Sequence, residues 1–417
     1  MRKVVISGMI GNALEWYDYA LYAQFAYIIG QHFFPDPEMR ETLTFAVFAA
    51  GFVVRPLGGI IFGNIGDRFG RRTALVMGII AMAIPTAGIG LLPSYKTIGI
   101  AAPIILTIIR LIQGFSLGGE FSGCISYIVE HASFEQRGLA GSSSFVSMCG
   151  GMLLGLGTAA GFSYFMPADT LFEWGWRIPF IAGLFISSIG LYIRKNLAES
   201  PIYKKAKGTG RLARFPLRET LTKYPKELII ALGLYITVTA PFYTATVFIS
   251  NFMQTLGYTN QQSTIVSSII LIVMMIVFPI SAYVSDKVGR RPVLIWGIIL
   301  LILSVYPIFV ALGSMNFTLA IISQVIFAGV ISIYMGPIPT VLVEIFPTSI
   351  RFTGVALSYN LAAAIFGGTA PMLAIILTKV TGDNYAIAYY LIVLALLSSI
   401  ILKFYKETYK KNLVNII

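Results

Sequence analysis

Twelve blocks of about 18 to 30 mostly apolar residues, each long enough to cross a bilayer core, constrain this chain more than any other feature. They run over 7–31, 43–65, 73–92, 99–128, 139–165, 177–194, 228–252, 263–284, 293–312, 317–343, 354–378 and 385–403. Only 12% of the 417 residues are charged, about half the share that covers the surface of a soluble protein. A lipid-exposed backbone must satisfy its own hydrogen bonds, so blocks of this length form helices. The first block carries Glu15 and Asp18 and continues at full length, unlike a cleaved leader.

The connections between blocks are charged unequally. Those on one side, with both chain ends, sum to +15, and those on the other to −2. Lys and Arg accumulate on the cytoplasmic side of membrane proteins, which predicts that both termini are cytoplasmic. The formal net charge of +12 is therefore a topology signal. It is spread over many short loops and calls for no nucleic-acid partner. Cys124 and Cys149 fall inside predicted helices without ligand spacing, so packing thiols are expected and neither a disulfide nor a metal. No Gly-x-x-x-x-Gly-Lys-Ser/Thr loop and no nucleophile–base set occur, so no cofactor and no enzymatic chemistry are expected.

An internal repeat sets the organisation. Asp67-Arg68-Phe69-Gly70-Arg71-Arg72 after the second block returns as Asp286-Lys287-Val288-Gly289-Arg290-Arg291 after the eighth, 219 residues on. Val129-Glu130 with Arg137 returns as Val343-Glu344 with Arg351, 214 residues on. The expected domains are a six-helix bundle over 1–194, a basic linker over 195–227, a second bundle over 228–404 and a short tail over 405–417.

The repeated Asp-(Arg/Lys)-x-Gly-Arg-Arg loops resemble the signature of the major facilitator superfamily. Gly11-Asn12-Ala-Leu-Glu15-Trp16-Tyr17-Asp18, Arg55-Pro56-Leu57-Gly58-Gly59 and Arg110-Leu-Ile-Gln113-Gly114-Phe-Ser-Leu-Gly118-Gly119-Glu120 resemble its metabolite:proton symporter branch. The resemblance implies an all-α membrane protein of twelve transmembrane helices in two pseudo-symmetric six-helix bundles. It also implies a monomeric, multi-pass carrier in the inner (plasma) membrane, whose partners are a small-molecule substrate, protons and the lipid bilayer. The branch carries proline and glycine betaine, or carboxylates such as 2-oxoglutarate, citrate and shikimate. Symport of a zwitterionic osmolyte or amino acid is the leading expectation; a carboxylate symporter and a proton-coupled exporter stay open.

Charges inside a span cost about 2.5–3.5 kcal/mol each to insert, so each needs a reason. Five lie well inside: Glu15, Asp18, Arg55, Arg110 and Glu120, all in the first half. A carboxylate in low dielectric binds a proton when alone and gives it up beside a guanidinium, so these five are the expected proton-coupling group. The resemblance to sugar–proton symporters pairs Asp18 with Arg110. Depth along the helices favours Arg55 instead, because Asp18, Arg55 and Glu120 each lie about 15–18 Å from the cytoplasmic ends at 1.5 Å per residue.

The repeated Asp67, Arg71, Glu130 and Arg137, with Asp286, Arg290, Glu344 and Arg351, sit at helix ends and are expected to form a cytoplasmic gate. The solute site is expected near the midplane between the halves. Its candidates are Trp16, Tyr22, Gln24 and Gln113 from the first half and Tyr235, Tyr243, Asn251, Tyr359 and Asn360 from the second, with Tyr17, Thr239 and Tyr334 behind them. Aromatic faces suit an ammonium, and Arg55 or Arg110 suits a carboxylate.

Overall fold

A computed structural model describes residues 2–383, 385–411 and 413. Of the tail expected over 405–417, residues 412 and 414–417 lie outside the described residues. The first bundle consists of α1 (Arg2–Gln24, followed by a short helix Ala26–Phe33), α2 (Arg40–Phe69), α3 (Arg71–Leu91), α4 (Ala101–His131), α5 (Arg137–Phe165) and α6 (Arg177–Lys195). Two short helices, Pro201–Gly208 and Pro216–Lys223, occupy the linker. The second bundle consists of α7 (Pro225–Tyr243, then a π turn Thr244–Phe248 and Ile249–Thr255), α8 (Asn260–Val288) and α9 (Arg290–Leu312). It is completed by α10 (Phe317–Met335 and Ile338–Ile345), α11 (Arg351–Ala362, a π turn Ala363–Gly367 and Ala370–Thr381) and α12 (Ala386–Leu402).

Among the described residues, nine helices are long and apolar enough to cross a membrane on length and composition alone. The other three crossings are α1, which carries Glu15 and Asp18, α11, interrupted by its π turn, and α12, of 17 residues. Side chains such as Val53, Leu154, Phe185 and Leu303 point outward from the bundles, as a lipid-facing flank requires.

The repeated loop is short because of its glycine. Gly70 (φ +112°) and Gly289 (φ +104°) take a backbone conformation that L side chains rarely adopt. Each ends one helix and starts the next at once. The Gly-rich strings of α2 and α4 serve close packing instead. A Cβ on Gly114 would meet the carbonyl of Gly51, and one on Gly118 would meet the carbonyl of Arg55. These two helices touch backbone to backbone, the small-residue packing typical of membrane interfaces. Across the bundles α2 lies against α11 and α5 against α8.

Candidate functional site

The deep charges form three separate groups. Arg110 Nη1 donates to Asp18 Oδ2 at 2.9 Å and to Gln113 Oε1 at 2.8 Å. Gln113 Nε2 donates to the same Asp18 oxygen at 3.1 Å and to Thr86 Oγ1 at 2.9 Å. The Arg110 guanidinium lies 3.6 Å from the ring centre of Tyr22, whose hydroxyl donates to the Thr44 carbonyl. Asp18 Oδ1 and Arg110 Nη2, both buried, have no hydrogen-bond partner among the described residues.

Depth therefore misjudged the partner of Asp18. Helix α1 begins at Arg2, not at 7, so Asp18 sits about 24 Å into it. That is close to the level of Arg110, about 30 Å from Glu130 on α4.

Arg55 instead approaches Glu15 at 4.0 Å without a hydrogen bond. It donates across the interface to the hydroxyls of Tyr243 (3.3 Å) and Tyr359. Both oxygens of Glu15 lack a hydrogen-bond partner among the described residues. Glu120 belongs to neither group. Nη1 and Nη2 of Arg194 both donate to it, and Nη1 also donates to the Leu75 carbonyl at 2.7 Å. Arg194, the last residue of the sixth apolar block, is 1% exposed, because α6 continues through it to Lys195. Gly11 leaves room for this pair, since a Cβ there would strike both partners.

The solute candidates divide. Trp16, Tyr235, Tyr243 and Tyr359 line one cavity between the halves with Thr239 and Phe242, of ≈ 10 Å³, room for about one water molecule. Tyr22 and Gln113 belong to the Asp18–Arg110 group. Gln24 is exposed and lines a separate pocket of ≈ 350 Å³ beside Gln31 and Arg40, at the end opposite the basic loops. Asn251 is exposed as well. The π turn just before it adds a residue to the winding, rotating its face by about 100°. Asn360 is buried, but its amide nitrogen donates to the carbonyls of Gly118 and Ala356, tying α11 to α4. Tyr17 and Tyr334 donate to backbone carbonyls as packing residues.

At the basic end the repeat becomes a two-fold network. Arg71 binds Asp67 (3.0 Å) and Glu130 (3.1 Å), and Arg290 binds Asp286 (2.6 Å) and Glu344 (3.3 Å). Each aspartate then reaches the other bundle. Asp67 accepts the backbone N–H groups of Phe352 (3.1 Å) and Thr353 (2.9 Å) at the start of α11. Asp286 accepts those of Gly138 (2.8 Å) and Leu139 (2.9 Å) at the start of α5. Carboxylates at helix N-termini are favoured by the exposed donors and the helix dipole. Arg351 completes the crossing with Glu130 (2.8 Å), and Arg137 with Glu344 (3.8 Å). All eight expected residues thus meet, with the halves joined at this end.

Four further residues extend the repeat. Glu199 accepts the N–H groups of Arg71 and Arg72, and Glu407 those of Arg290 and Arg291. Ser200 donates to Glu130 as Thr408 does to Glu344. The signal was present as Glu-Ser and Glu-Thr, 208 residues apart, after the last span of each half.

Two six-helix bundles around buried ion pairs, clasped at one end by repeated helix-terminal charges, define a secondary transporter of the major facilitator fold. The chain belongs to the sugar (and other) transporter family, whose model it matches over residues 4–227 and again over 220–416. It is 34% identical to the proline/betaine transporter of Salmonella typhimurium, over 99% of this chain and 85% of that one. It is 33% identical, with the same coverage, to the glycine betaine/proline/ectoine/pipecolic acid transporter OusA of Dickeya dadantii. In fold it is similar to the proton:xylose symporter XylE bound to 6-bromo-6-deoxy-D-glucose, with TM-score 0.83 and 19% identity over 99% of this chain and 98% of that one. It is thus a multi-pass membrane transporter of a small molecule.

Proposed function

We propose that this protein is a carrier, not an enzyme, that moves a small zwitterion such as proline or betaine together with protons, by alternating access. The observation that carries the reading is the Asp18–Arg110 pair: buried, joined at 2.9 Å, and with one aspartate oxygen that has no hydrogen-bond partner among the described residues. A carboxylate beside a guanidinium stays ionised, and one separated from it in low dielectric takes up a proton. A motion that parts Asp18 from Arg110 therefore binds a proton, and its reversal releases one. The relatives' named solutes are zwitterions, which suit the uncharged aromatic wall contributed by Tyr235, Phe242 and Tyr243.

By the positive-inside rule the basic end faces the cytoplasm, with both termini there, and the protein resides in the inner membrane. The clasped conformation is then closed to the cytoplasm. Opening inward breaks the crossed pairs of Glu130–Arg351 and Arg137–Glu344, and opening outward keeps them. Both halves of the site come from one chain, so a monomer suffices.

Asp18→Asn in proteoliposomes tests the coupling. Exchange of labelled betaine or proline across the membrane should persist, while accumulation driven by an inward proton gradient should vanish. Gradient-driven accumulation at the unsubstituted level in Asp18→Asn would overturn the assignment.

A further inference from the structure

The two arginines near the centre are held in different ways, and that difference points to a division of labour. Arg110 has an ionised partner at hydrogen-bonding distance, Asp18, and a ring, Tyr22, against its face. Neither Arg110 nor the residues that hold it, Asp18, Gln113 and Tyr22, line the cavity between the halves. Arg55 is 1% exposed, yet its hydrogen bonds go to two neutral hydroxyls, those of Tyr243 and Tyr359. Its Nε has no hydrogen-bond partner among the described residues, and Glu15 stands 4.0 Å away, beyond hydrogen-bond distance. The guanidinium also lies over the rings of Phe52 and Tyr359, but with its nearest carboxylate at 4.0 Å it has no directly bonded counter-ion, a costly state for a buried charge. Arg55 does not itself line the central cavity, but both tyrosines that hold it do, so the cation stands directly behind that wall.

The same cavity offers the other half of a zwitterion's needs. The rings of Trp16, Tyr235 and Phe242 line it, and Trp16 Nε1 and Thr239 Oγ1 lack partners among the described residues. Aromatic faces bind an ammonium that carries methyl groups or a ring, and a guanidinium binds a carboxylate through two parallel N–H donors. In the clasped state the space is ≈ 10 Å³, so the wall must move outward to admit a solute. The π turns Thr244–Phe248 and Ala363–Gly367 adjoin Tyr243 and the cavity-lining Ala363 and give α7 and α11 places to bend.

Resting on the zwitterion reading above, we infer that Arg55 is the carboxylate anchor of the solute, displacing the hydroxyls of Tyr243 and Tyr359 when the solute binds. Arg110 is left to the proton pair. The site therefore selects solutes in which a carboxylate lies within a few ångströms of a secondary or quaternary ammonium, and it rejects the same cation without its carboxylate.

Binding to the purified, detergent-solubilised protein tests this with glycine betaine, proline, choline and acetate as probes. Choline keeps the trimethylammonium group and lacks the carboxylate. The unsubstituted protein should prefer betaine to choline by about 100-fold, the scale of a buried charge-assisted pair. Arg55→Gln should lose that preference by weakening betaine while choline changes less than about threefold, the remaining cation–π contact being intact. Arg55→Lys retains the charge and guards against misfolding; it should weaken betaine about tenfold, since an ammonium cannot match the carboxylate with two donors. Equal loss of betaine and choline in both variants, or an undiminished preference in Arg55→Gln, would overturn the assignment. If the unsubstituted protein binds acetate in an Arg55-dependent way but neither betaine nor proline, the zwitterion reading fails and the anchor stands. If none of the four probes binds, both fail.

Discussion

Glu130 and Arg351 meet at 2.8 Å across the interface between the two bundles, both with fully buried side chains. Glu130 also holds Arg71 and accepts from Ser200, whereas the other hydrogen bonds of Arg351 go to backbone carbonyls at Val343, Phe346 and Leu413. The two partners are therefore unequally dependent on each other.

Glu130→Gln should thus be costly in the clasped state. It leaves Arg351 buried against carbonyls alone, a loss of about 3–5 kcal/mol, and opening toward water relieves it. Hydrogen–deuterium exchange should rise over residues 347–353 by at least tenfold, one decade per about 1.4 kcal/mol. Unchanged protection there would show that the pair does not hold the gate.

The aspartates at the two helix starts should behave alike because their geometry is alike. Asp67→Ala frees the N–H groups of Phe352 and Thr353, and Asp286→Ala those of Gly138 and Leu139. Each lost buried acceptor costs about 1–3 kcal/mol. Amide exchange should rise at the bundle opposite the substitution. A rise confined to the substituted bundle would contradict the cross-bundle clasp.

Arg194 and Glu120 form a pair whose members need each other more than the fold needs either. Arg194→Gln leaves Glu120 buried without a counter-ion, about 3–5 kcal/mol, and should lower the thermal unfolding midpoint sharply. The double variant Glu120→Gln with Arg194→Gln removes both charges and should recover most of that loss. A double variant as unstable as the sum of the singles would mean that the two residues act independently.

Close contact of α2 and α4 yields a further test. A Cβ at Gly114 runs into the Gly51 backbone, while one at Gly157 on α5 meets nothing within 4 Å. Gly114→Ala should destabilise by about 1–3 kcal/mol through overpacking, and Gly157→Ala should be neutral or slightly stabilising in a helix. Equal effects on the unfolding midpoint would refute backbone-to-backbone packing.

What the sequence made legible, and what it hid, follows from which signals carry register. The apolar blocks and the Asp-x-x-Gly-Arg-Arg repeat identify the helices and the clasp, because a positive-φ glycine and a buried charge each leave a fixed mark. Arg194 was hidden because it closes its apolar block, where a basic residue reads as part of the cytoplasmic flank, and α6 simply runs on through it. Glu199 and Glu407 were hidden because the repeat offset shrinks from 219 to 214 to 208 as the second half shortens its connections. Asn251 and Asn360 looked alike as intramembrane amides. Only the winding of the π turn and the carbonyl of Gly118 distinguish an exposed amide from a buried tie.

Proton movement on adding solute bears most directly on the central claim. Proteoliposomes loaded with a pH-sensitive dye, with no pre-set pH gradient, receive glycine betaine or proline outside. The lumen should acidify as solute enters through the unsubstituted protein, and Asp18→Asn should admit solute without acidification. Solute entry through the unsubstituted protein with no acidification, or undiminished acidification in Asp18→Asn, would contradict coupling through the Asp18–Arg110 pair.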